Sequence, residues 1–287
     1  MSKISTTAAM IDSYTNTAIK NYVKSHDEST YFPKEIWDEL TNEMDIFLPI
    51  LSEENHTLSS DFITFIRKIA NEFAALSAIL LTQGCYGIYS ILNFGTAEQK
   101  ELYLEKLLKG QYIAGLGFCE YKHLKGLEDL ETYATKTEQG WCLSGKKAMI
   151  SNSSVADILL VLAKVKEQGK VEKYGLFIVD PKDSDVLIGE QIEKPGLIGL
   201  PLSSVTLKNV LLPENALLGD ELAGDVQFAN IIKNMQLGLS AIALGIAEGA
   251  FNKGIEFAKV KRGFGKRLID VEIHQNKFAD LYNKLCS

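Results

Sequence analysis

The sequence predicts an α+β fold in which a small β-domain lies between two sets of helices. Apolar residues recur at helical spacing up to about residue 111, and short β-branched segments bounded by Gly, Pro, Asp and Asn follow. A long helical pattern then returns after residue 219. Because helices and strands are segregated along the chain, a doubly wound sheet is not expected. We predict three domains, at residues 1–111, 112–222 and 223–287.

The N-terminal domain is predicted to be a helical bundle. Between residues 62 and 80 the apolar positions recur at helical spacing, which is typical of buried helix faces. A shorter helix should begin near Thr96, because a hydroxyl three residues before Gln99 has the spacing of a capping box. This helix should end at Gly110, a residue suited to the left-handed conformation that closes helices.

The central domain is predicted to be an antiparallel β-sandwich or a barrel-like sheet. Segments 158–163, 176–179 and 205–210 are short and rich in apolar or β-branched residues, as strands are. The connections between them are too short and too polar to contain crossover helices. We therefore expect the strands to be mainly antiparallel.

The C-terminal domain is predicted to be a partial helical bundle. Residues 237–247 are apolar nearly all round the helix, which predicts burial between neighbouring helices. After a turn at residues 263–265, a last helix is expected over residues 270–285, with one apolar face. We expect exposed apolar faces at Ile242, Ile246, Phe257 and Phe278 to drive association into an oligomer.

Composition and charge argue against several classes of function. The chain has 46% hydrophobic and 23% charged residues, as folded globular proteins do, and its net charge of −7 argues against a nucleic-acid partner. Four cysteines without a C-x-x-C pair and four histidines without ligand spacing predict no metal site. We expect free thiols in a cytoplasmic protein. No secretory signal or uninterrupted apolar run of membrane-spanning length is expected.

No single motif is a strong catalytic signature, because the sequence has no P-loop, no G-x-G-x-x-G after a strand and no G-x-S-x-G elbow. Several ordered segments are informative together. They are GTAEQK (95–100) with LLKG (107–110), GFCE (117–120), WCLSGK (141–146) with MISN (149–152), NVLLPENALLG (209–219), ALGIA (243–247), and FGK (264–266) with HQ (274–275). In this order and spacing, the chain resembles the acyl-CoA dehydrogenase family.

The resemblance implies FAD in a cleft, an acyl thioester substrate, and a homodimer or a dimer of dimers. In the family's reaction a carboxylate removes the α-proton of the thioester while the β-hydrogen leaves as hydride to the flavin. The commonest base of the family, two bundle helices and a Gly-rich segment are not found in this chain. None of its carboxylates matches a base position, so the catalytic residues are not predicted.

Two matched segments are implied to form a wall against the flavin, one beside its pyrimidine edge and one covering the ring near its reactive nitrogen. They are Phe118, Cys119 and Glu120, and Met149, Ile150 and Ser151. Family members usually have Thr at position 119 and an aromatic residue at position 149. In this chain, Cys119 is a poorer hydrogen-bond donor than Thr, and Met149 would cover the flavin ring without stacking on it. The alternative is that these are ordinary strand residues, with Cys119 merely buried.

A Gly-Ser-Asp turn of the family is replaced by residues 124–126, so Lys122 and Lys125 either attract a phosphate or belong to a solvated loop. The family's Arg-x-x-Phe-Gly, which reaches the FAD of a neighbouring subunit, is altered in this chain. The residues implied for that contact are Lys261, Arg262, Phe264 and Gln275. The alternative is a basic helix end that complements the helix dipole.

Met235 and Gln236 match substrate-side positions just before the apolar stretch of the long helix. Some relatives have their catalytic carboxylate where this chain has Met235, and family members commonly have Arg where it has Gln236. Two hypotheses follow. The first is an acyl-CoA dehydrogenase-like enzyme completed by a partner subunit and served by an electron-transfer partner. The second is a non-catalytic relative that binds an acyl thioester, a flavin or a partner protein.

Overall fold

The computed structural model describes residues 6–26, 31–52, 57–122, 125–165, 173–260 and 265–286. Its α-helices are α1 (Ala8–Tyr14), α2 (Lys20–His26), α3 (Lys34–Asp38), α4 (Ser60–Ala70), α5 (Ala74–Thr82), α6 (Ser90–Phe94), α7 (Ala97–Leu108), α8 (Gly224–Lys259) and α9 (Glu272–Cys286). Its strands are β1 (Ala114–Gly117), β2 (Tyr133–Thr137), β3 (Gly140–Ser151), β4 (Ile158–Val165), β5 (Lys173–Val179), β6 (Val186–Gln191) and β7 (Leu202–Pro213). The predicted α+β order of helices, sheet and helices is confirmed.

The N-terminal helices pack around the helical segment Ala74–Phe94, which runs from α5 through a π-helical turn to α6. This segment is long and apolar enough to cross a membrane, but 94% of its most apolar window is buried inside the molecule. Packing against α4 and α8 accounts for its hydrophobicity. The predicted capping box is present at the start of α7, and Gly110, with φ of 64°, follows its end as expected.

Within the described ranges, seven strands form one curled sheet, a half-barrel, in the order β1-β4-β2-β3-β7-β6, with β5 paired to β4. The pairs β2–β3, β3–β7, β6–β7 and β4–β5 are antiparallel, as predicted. Strands β1 and β2 instead lie parallel to β4. The sheet curls around its own core, in which the rings of Trp141 and Phe177 pack edge to face.

Helix α8 corrects one prediction, because residues 237–247 are buried on one face only. Gly238 and Ile242 lie against the helical core, so Ile242 is not part of an exposed patch. Leu237 and Leu239 are 48% and 50% exposed. The reason is geometric: within the described structure α4 and α5 pack on one side of α8, so an all-apolar sequence still gives a one-sided contact.

Two buried glutamines fix the sheet to the helices. Gln83 donates from Nε2 to the carbonyls of Leu107 and Tyr112, and its Oε1 accepts from the amide of Ala114 at the start of β1. Gln99 of α7 donates to two carbonyls of the segment after β7 and accepts from the amide of Gly219. These bonds set the position of the sheet beside the helices, and therefore the shape of the cleft between them.

Candidate functional site

A cleft of about 820 Å³ lies where the β-domain faces the N-terminal part of α8. One wall comes from the chain after β1 and from β3, and the other comes from α8. The residues on the sheet side are Phe118, Cys119, Glu120, Tyr121, Lys122, Lys125, Gly126, Leu127, Leu130, Met149 and Leu162, and those on α8 are Asp225, Phe228, Ala229, Ile232, Lys233 and Gln236.

The sheet-side wall depends on close contact between β1 and β3. A Cβ atom at Gly117 would lie 2.8 Å from Cδ1 of Ile150, so only glycine lets the backbone approach this closely. The pairing of β3 with β7 is irregular between Lys147 and Ile150. This irregularity buries both Lys147 and Ala148 and leaves Met149 49% exposed, where it lines the cleft.

The structure brings most of the predicted flavin wall together on this cleft. Phe118, Cys119, Glu120 and Met149 all line it. Burial raises the pKa of the Cys119 thiol, although the charge of Lys147 opposes this, so at neutral pH the thiol is a protonated, weak donor.

The other two residues of the predicted wall lie beside the cleft. Ile150 is fully buried in the core of the β-domain. Ser151 is half-buried at the end of β3, opposite Leu202. Their contact with a flavin stays a prediction.

Of the remaining predicted site residues, some lie at or beside the cleft and others lie elsewhere or outside the described residues. Gln236 lines the cleft, and Met235 is half-buried against the helical core beside it. Gln275 is exposed on α9, where its Nε2 donates to the carbonyl of Ile269 at 3.0 Å. Its predicted flavin contact stays a prediction. Lys261, Arg262 and Phe264 lie outside the described residues.

The two walls meet through aromatic rings. Phe118 and Phe228 have ring centroids 5.1 Å apart, with planes inclined at 49°. This geometry is within the favourable range for aromatic pairs. The contact gives the cleft an apolar surface that suits a flat ring or an acyl chain, which matches the mostly apolar lining of small-molecule sites.

A buried ion pair lies behind the sheet-side wall. Lys147 Nζ is 2.8 Å from Glu120 Oε1, and the two side chains are 0% and 2% exposed. Burial lowers the pKa of Lys147 to about 8, although Glu120 opposes this. Burial alone would raise the pKa of Glu120, but the hydrogen bond and the charge of Lys147 outweigh it and lower that pKa.

Lys147 was not predicted as a site residue, and neither were Phe228 and Ile232 on the α8 wall. Lys147 is the second of two adjacent lysines on β3, and strict strand alternation places one of them inward without showing which. The pair of consecutive buried positions at Lys147 and Ala148 breaks that alternation. The family resemblance implied Glu120 as a site residue, but only the structure shows that Lys147 is its partner.

The rim of the cleft is predominantly positive. Lys122, Lys125 and Lys233 are exposed there beside the carboxylate of Asp225. The Lys122 Nζ lies 3.9 Å from Glu131, a separation and exposure at which little pairing energy is expected. An excess of cations at the mouth of an apolar cleft suits a ligand with an anionic end.

A groove of about 1080 Å³ between α1, α4, α8 and α9 has a different character. Charged side chains pair across it, including Arg67 with Glu248, where Arg67 Nε donates to Oε2 at 3.1 Å. Glu248 of α8 therefore lies at an interhelical contact with α4. Among the residues that the structure describes, no group of three or more His, Cys, Asp and Glu side chains is placed to hold a metal ion.

Sequence models of one protein family match most of the chain. Residues 4–111 match the sequence model of the acyl-CoA dehydrogenase N-terminal domain, and residues 115–210 match that of the middle domain. The chain is 25% identical over 261 residues to a 3-(aryl)acrylate reductase of Clostridium sporogenes, covering 90% of this chain and 69% of the relative. It is 27% identical over 266 residues to subunit CarC of the caffeyl-CoA reductase-Etf complex of Acetobacterium woodii, with the same coverage of 90% and 69%.

Solved structures show the same fold. The butyryl-CoA dehydrogenase of Megasphaera elsdenii superposes with a TM-score of 0.86 at 25% identity, covering 97% of this chain and 74% of that one. The glutaryl-CoA dehydrogenase of Mycobacterium smegmatis, solved with FADH2, gives 0.86 at 23% identity, with 97% and 71% covered. The chain spans 46% of the length of the mitochondrial long-chain specific acyl-CoA dehydrogenase of Mus musculus, to which it is 26% identical over 198 residues.

Proposed function

The chain belongs to the acyl-CoA dehydrogenase family, and on that premise we propose that it is an FAD-dependent oxidoreductase acting on an acyl thioester. The proposed reaction is α,β-dehydrogenation. The observation that carries the proposal is the single cleft that gathers Phe118, Cys119 and Met149 from the sheet and Gln236 from α8. The family pattern in the sequence implies these four positions, and they come from three separate segments of the chain.

The residues of the cleft fit the cofactor. Phe118 and Met149 offer an aromatic face and a polarizable thioether to a flat ring, and the lysines at the rim match the charge of phosphate groups. A structure with the same fold, a glutaryl-CoA dehydrogenase, was solved with FADH2. When bound, FAD supplies the acceptor for the hydride.

The α8 wall is proposed to hold and orient the acyl group. Phe228 and Ile232 present apolar surface to it, and with Phe118 they keep water from the reacting carbons. The Gln236 amide offers hydrogen-bond donors to the thioester carbonyl, where negative charge develops as the α-proton leaves.

A second candidate function is supported by the carboxylates of the cleft. Within the described residues, the lining contains two of them, Glu120 and Asp225. Glu120 is committed to Lys147 and to two backbone amides, so it is not available to accept a substrate proton. Asp225 is exposed in the first turn of α8. This favours, as the alternative, a non-catalytic relative that binds an acyl thioester, a flavin or a partner protein.

The partners follow from the first candidate. The thioester is carried by coenzyme A or by a carrier protein, and the electrons pass to an electron-transfer partner. The relative from Acetobacterium woodii belongs to a complex with Etf, which supports a partner of that class. We also propose a role in fatty acid metabolism. We propose a cytoplasmic location as well, and the four free thiols support that location.

The oligomeric state is part of the same proposal. Ile246, Phe257, Ile273 and Leu281 are all at least 44% exposed on α8 and α9. Exposed apolar surface of this kind favours association. We propose a homo-oligomer, or a complex in which a partner subunit completes the site.

The test begins with absorbance spectra of the purified protein with added FAD. Flavin bands that bleach on anaerobic addition of butyryl-CoA or a longer acyl thioester support the dehydrogenase. Bound flavin that no thioester reduces supports the non-catalytic candidate, and absence of flavin binding contradicts the cofactor assignment. Met149→Asp should abolish flavin retention, whereas Leu211→Asp, on the neighbouring strand β7 and 68% exposed outside the cleft, should not.

A further inference from the structure

The Glu120–Lys147 pair joins three segments of the chain that are far apart in sequence. Glu120 follows β1, and its Oε2 and Oε1 accept hydrogen bonds from the amides of Glu131 at 2.7 Å and Thr132 at 3.0 Å, at the entry to β2. Lys147 belongs to β3. We propose that this pair is a positioning device that fixes the sheet-side wall of the cleft and thereby sets the affinity for flavin. The inference rests on the proposed function.

The residues that the pair joins bound much of the cleft. The chain leaves the wall at Glu120 and returns at Thr132, and Tyr121 and Leu130, which lie between these two ends, line the cleft. One carboxylate therefore binds both ends of this connection. Loss of that carboxylate removes the contact that the two ends share, although the carbonyl of Thr132 still accepts a hydrogen bond from the amide of Lys164 at 3.0 Å.

The lysine connects this arrangement to the centre of the wall. The Cγ atom of Lys147 lies 3.1 Å from the position that a Cβ at Gly117 would occupy, so its aliphatic stem crosses directly over β1. The next residue, Ala148, donates its amide to the carbonyl of Cys119 at 2.9 Å. Two adjacent residues of β3 are therefore bonded to two adjacent residues after β1, immediately before Met149.

The charges of Glu120 and Lys147 are explained better by the orientation that they give to the wall than by a contribution to the stability of the core. An apolar pair of similar volume generally stabilises a core as well as a buried ion pair does, or better. An apolar side chain at position 120, however, would leave the amides of Glu131 and Thr132 without their acceptor. A carboxylate with three donors has one favourable orientation, and that orientation is what the wall requires.

The experiment compares the double variant Glu120→Gln/Lys147→Met with wild type. The double variant leaves no uncompensated charge in the interior, so it is expected to fold even if Lys147→Met alone does not. Lys208→Met, an exposed lysine on the adjacent strand β7, is the matched control for loss of one cation. Two quantities are measured on folded protein: the Kd for FAD by titration, and amide hydrogen exchange at Glu131, Thr132 and Ala148 by NMR.

Because glutamine keeps one acceptor oxygen, we expect the double variant to bind FAD about tenfold more weakly and to lose about tenfold in protection at Ala148 and at one or both of the Glu131 and Thr132 amides. Lys208→Met should change neither quantity. Unchanged protection in the folded double variant would overturn the joining role, and increased exchange with an unchanged FAD Kd would overturn the positioning of the flavin wall. If wild type binds no FAD, the proposed function fails on its own, while the amide exchange still decides whether the pair joins the segments.

Discussion

Replacing Lys147 with Met measures the energetics of the buried pair. The substitution keeps the aliphatic stem over β1 but leaves the carboxylate of Glu120, which is 2% exposed, without its cation. Breaking a buried pair from one side typically costs about 3–5 kcal/mol, because the remaining charge must take up a proton or draw in water. Two backbone amides still donate to Glu120, so we expect the free energy of unfolding to fall by about 3 kcal/mol, near the lower end of that range.

The opposite substitution, Glu120→Gln, should cost less. Burial lowers the pKa of Lys147 to about 8 even with Glu120 present, so without the carboxylate the amine is readily neutralised at pH 7. We expect a loss of about 1–2 kcal/mol for Glu120→Gln, and a smaller loss for the double variant than the sum of the two single variants.

Urea denaturation at pH 7 checks these values. Trp141 lies in the core of the β-domain and Trp37 in the helical core, so tryptophan fluorescence reports unfolding of both parts, including the domain that contains the pair. Circular dichroism should give the same midpoint if unfolding is two-state. Lys208→Met should stay within about 0.5 kcal/mol of wild type. A loss below about 1 kcal/mol in Lys147→Met, or strict additivity in the double variant, would show that the pair is not coupled.

Three further predictions concern pH, helix packing and the junction of the domains. Because the folded-state pKa of Lys147 is lowered from 10.5 to about 8, the unfolded chain binds more protons between these pH values. The free energy of unfolding should therefore rise with pH there in wild type relative to Lys147→Met, as urea midpoints measured at several pH values will show. Gly245→Ala would place a Cβ 2.2 Å from the carbonyl oxygen of Arg67, and it should lower the free energy of unfolding, measured by thermal unfolding, by about 1–3 kcal/mol. Gly254→Ala, 3.6 Å from the nearest ring, should gain about 0.5–1 kcal/mol in the same measurement. Gln99→Ala should lower the free energy of unfolding in urea by about 2–4 kcal/mol, because it leaves several backbone groups of the segment after β7 without partners. A decrease below about 1 kcal/mol would contradict the role of Gln99 in joining the sheet to the helices.

The helical parts of the fold were predictable because their signals are local. The capping box at Thr96 and the left-handed residue Gly110 bound α7 as expected, since both depend on neighbours within a few residues. The parallel pairing of β1 and β2 with β4 was not predicted, because it joins distant segments and short strand patterns do not record their partners. The one-sided burial of α8 escaped prediction for a similar reason, since neighbours decide which face is covered.

The features that sequence rules miss gather at the cleft. The broken alternation at Lys147 and Ala148, the buried cation itself and the close backbone approach at Gly117 all lie within the sheet-side wall. Local rules are typically broken at functional sites, where stability is lost to gain a particular geometry. The concentration of these features beside Met149 thus supports the same cleft that the family pattern indicates, and it does so from packing alone. It also separates two roles: Glu120 shapes the wall, so any proton transfer in a dehydrogenation must use a different carboxylate.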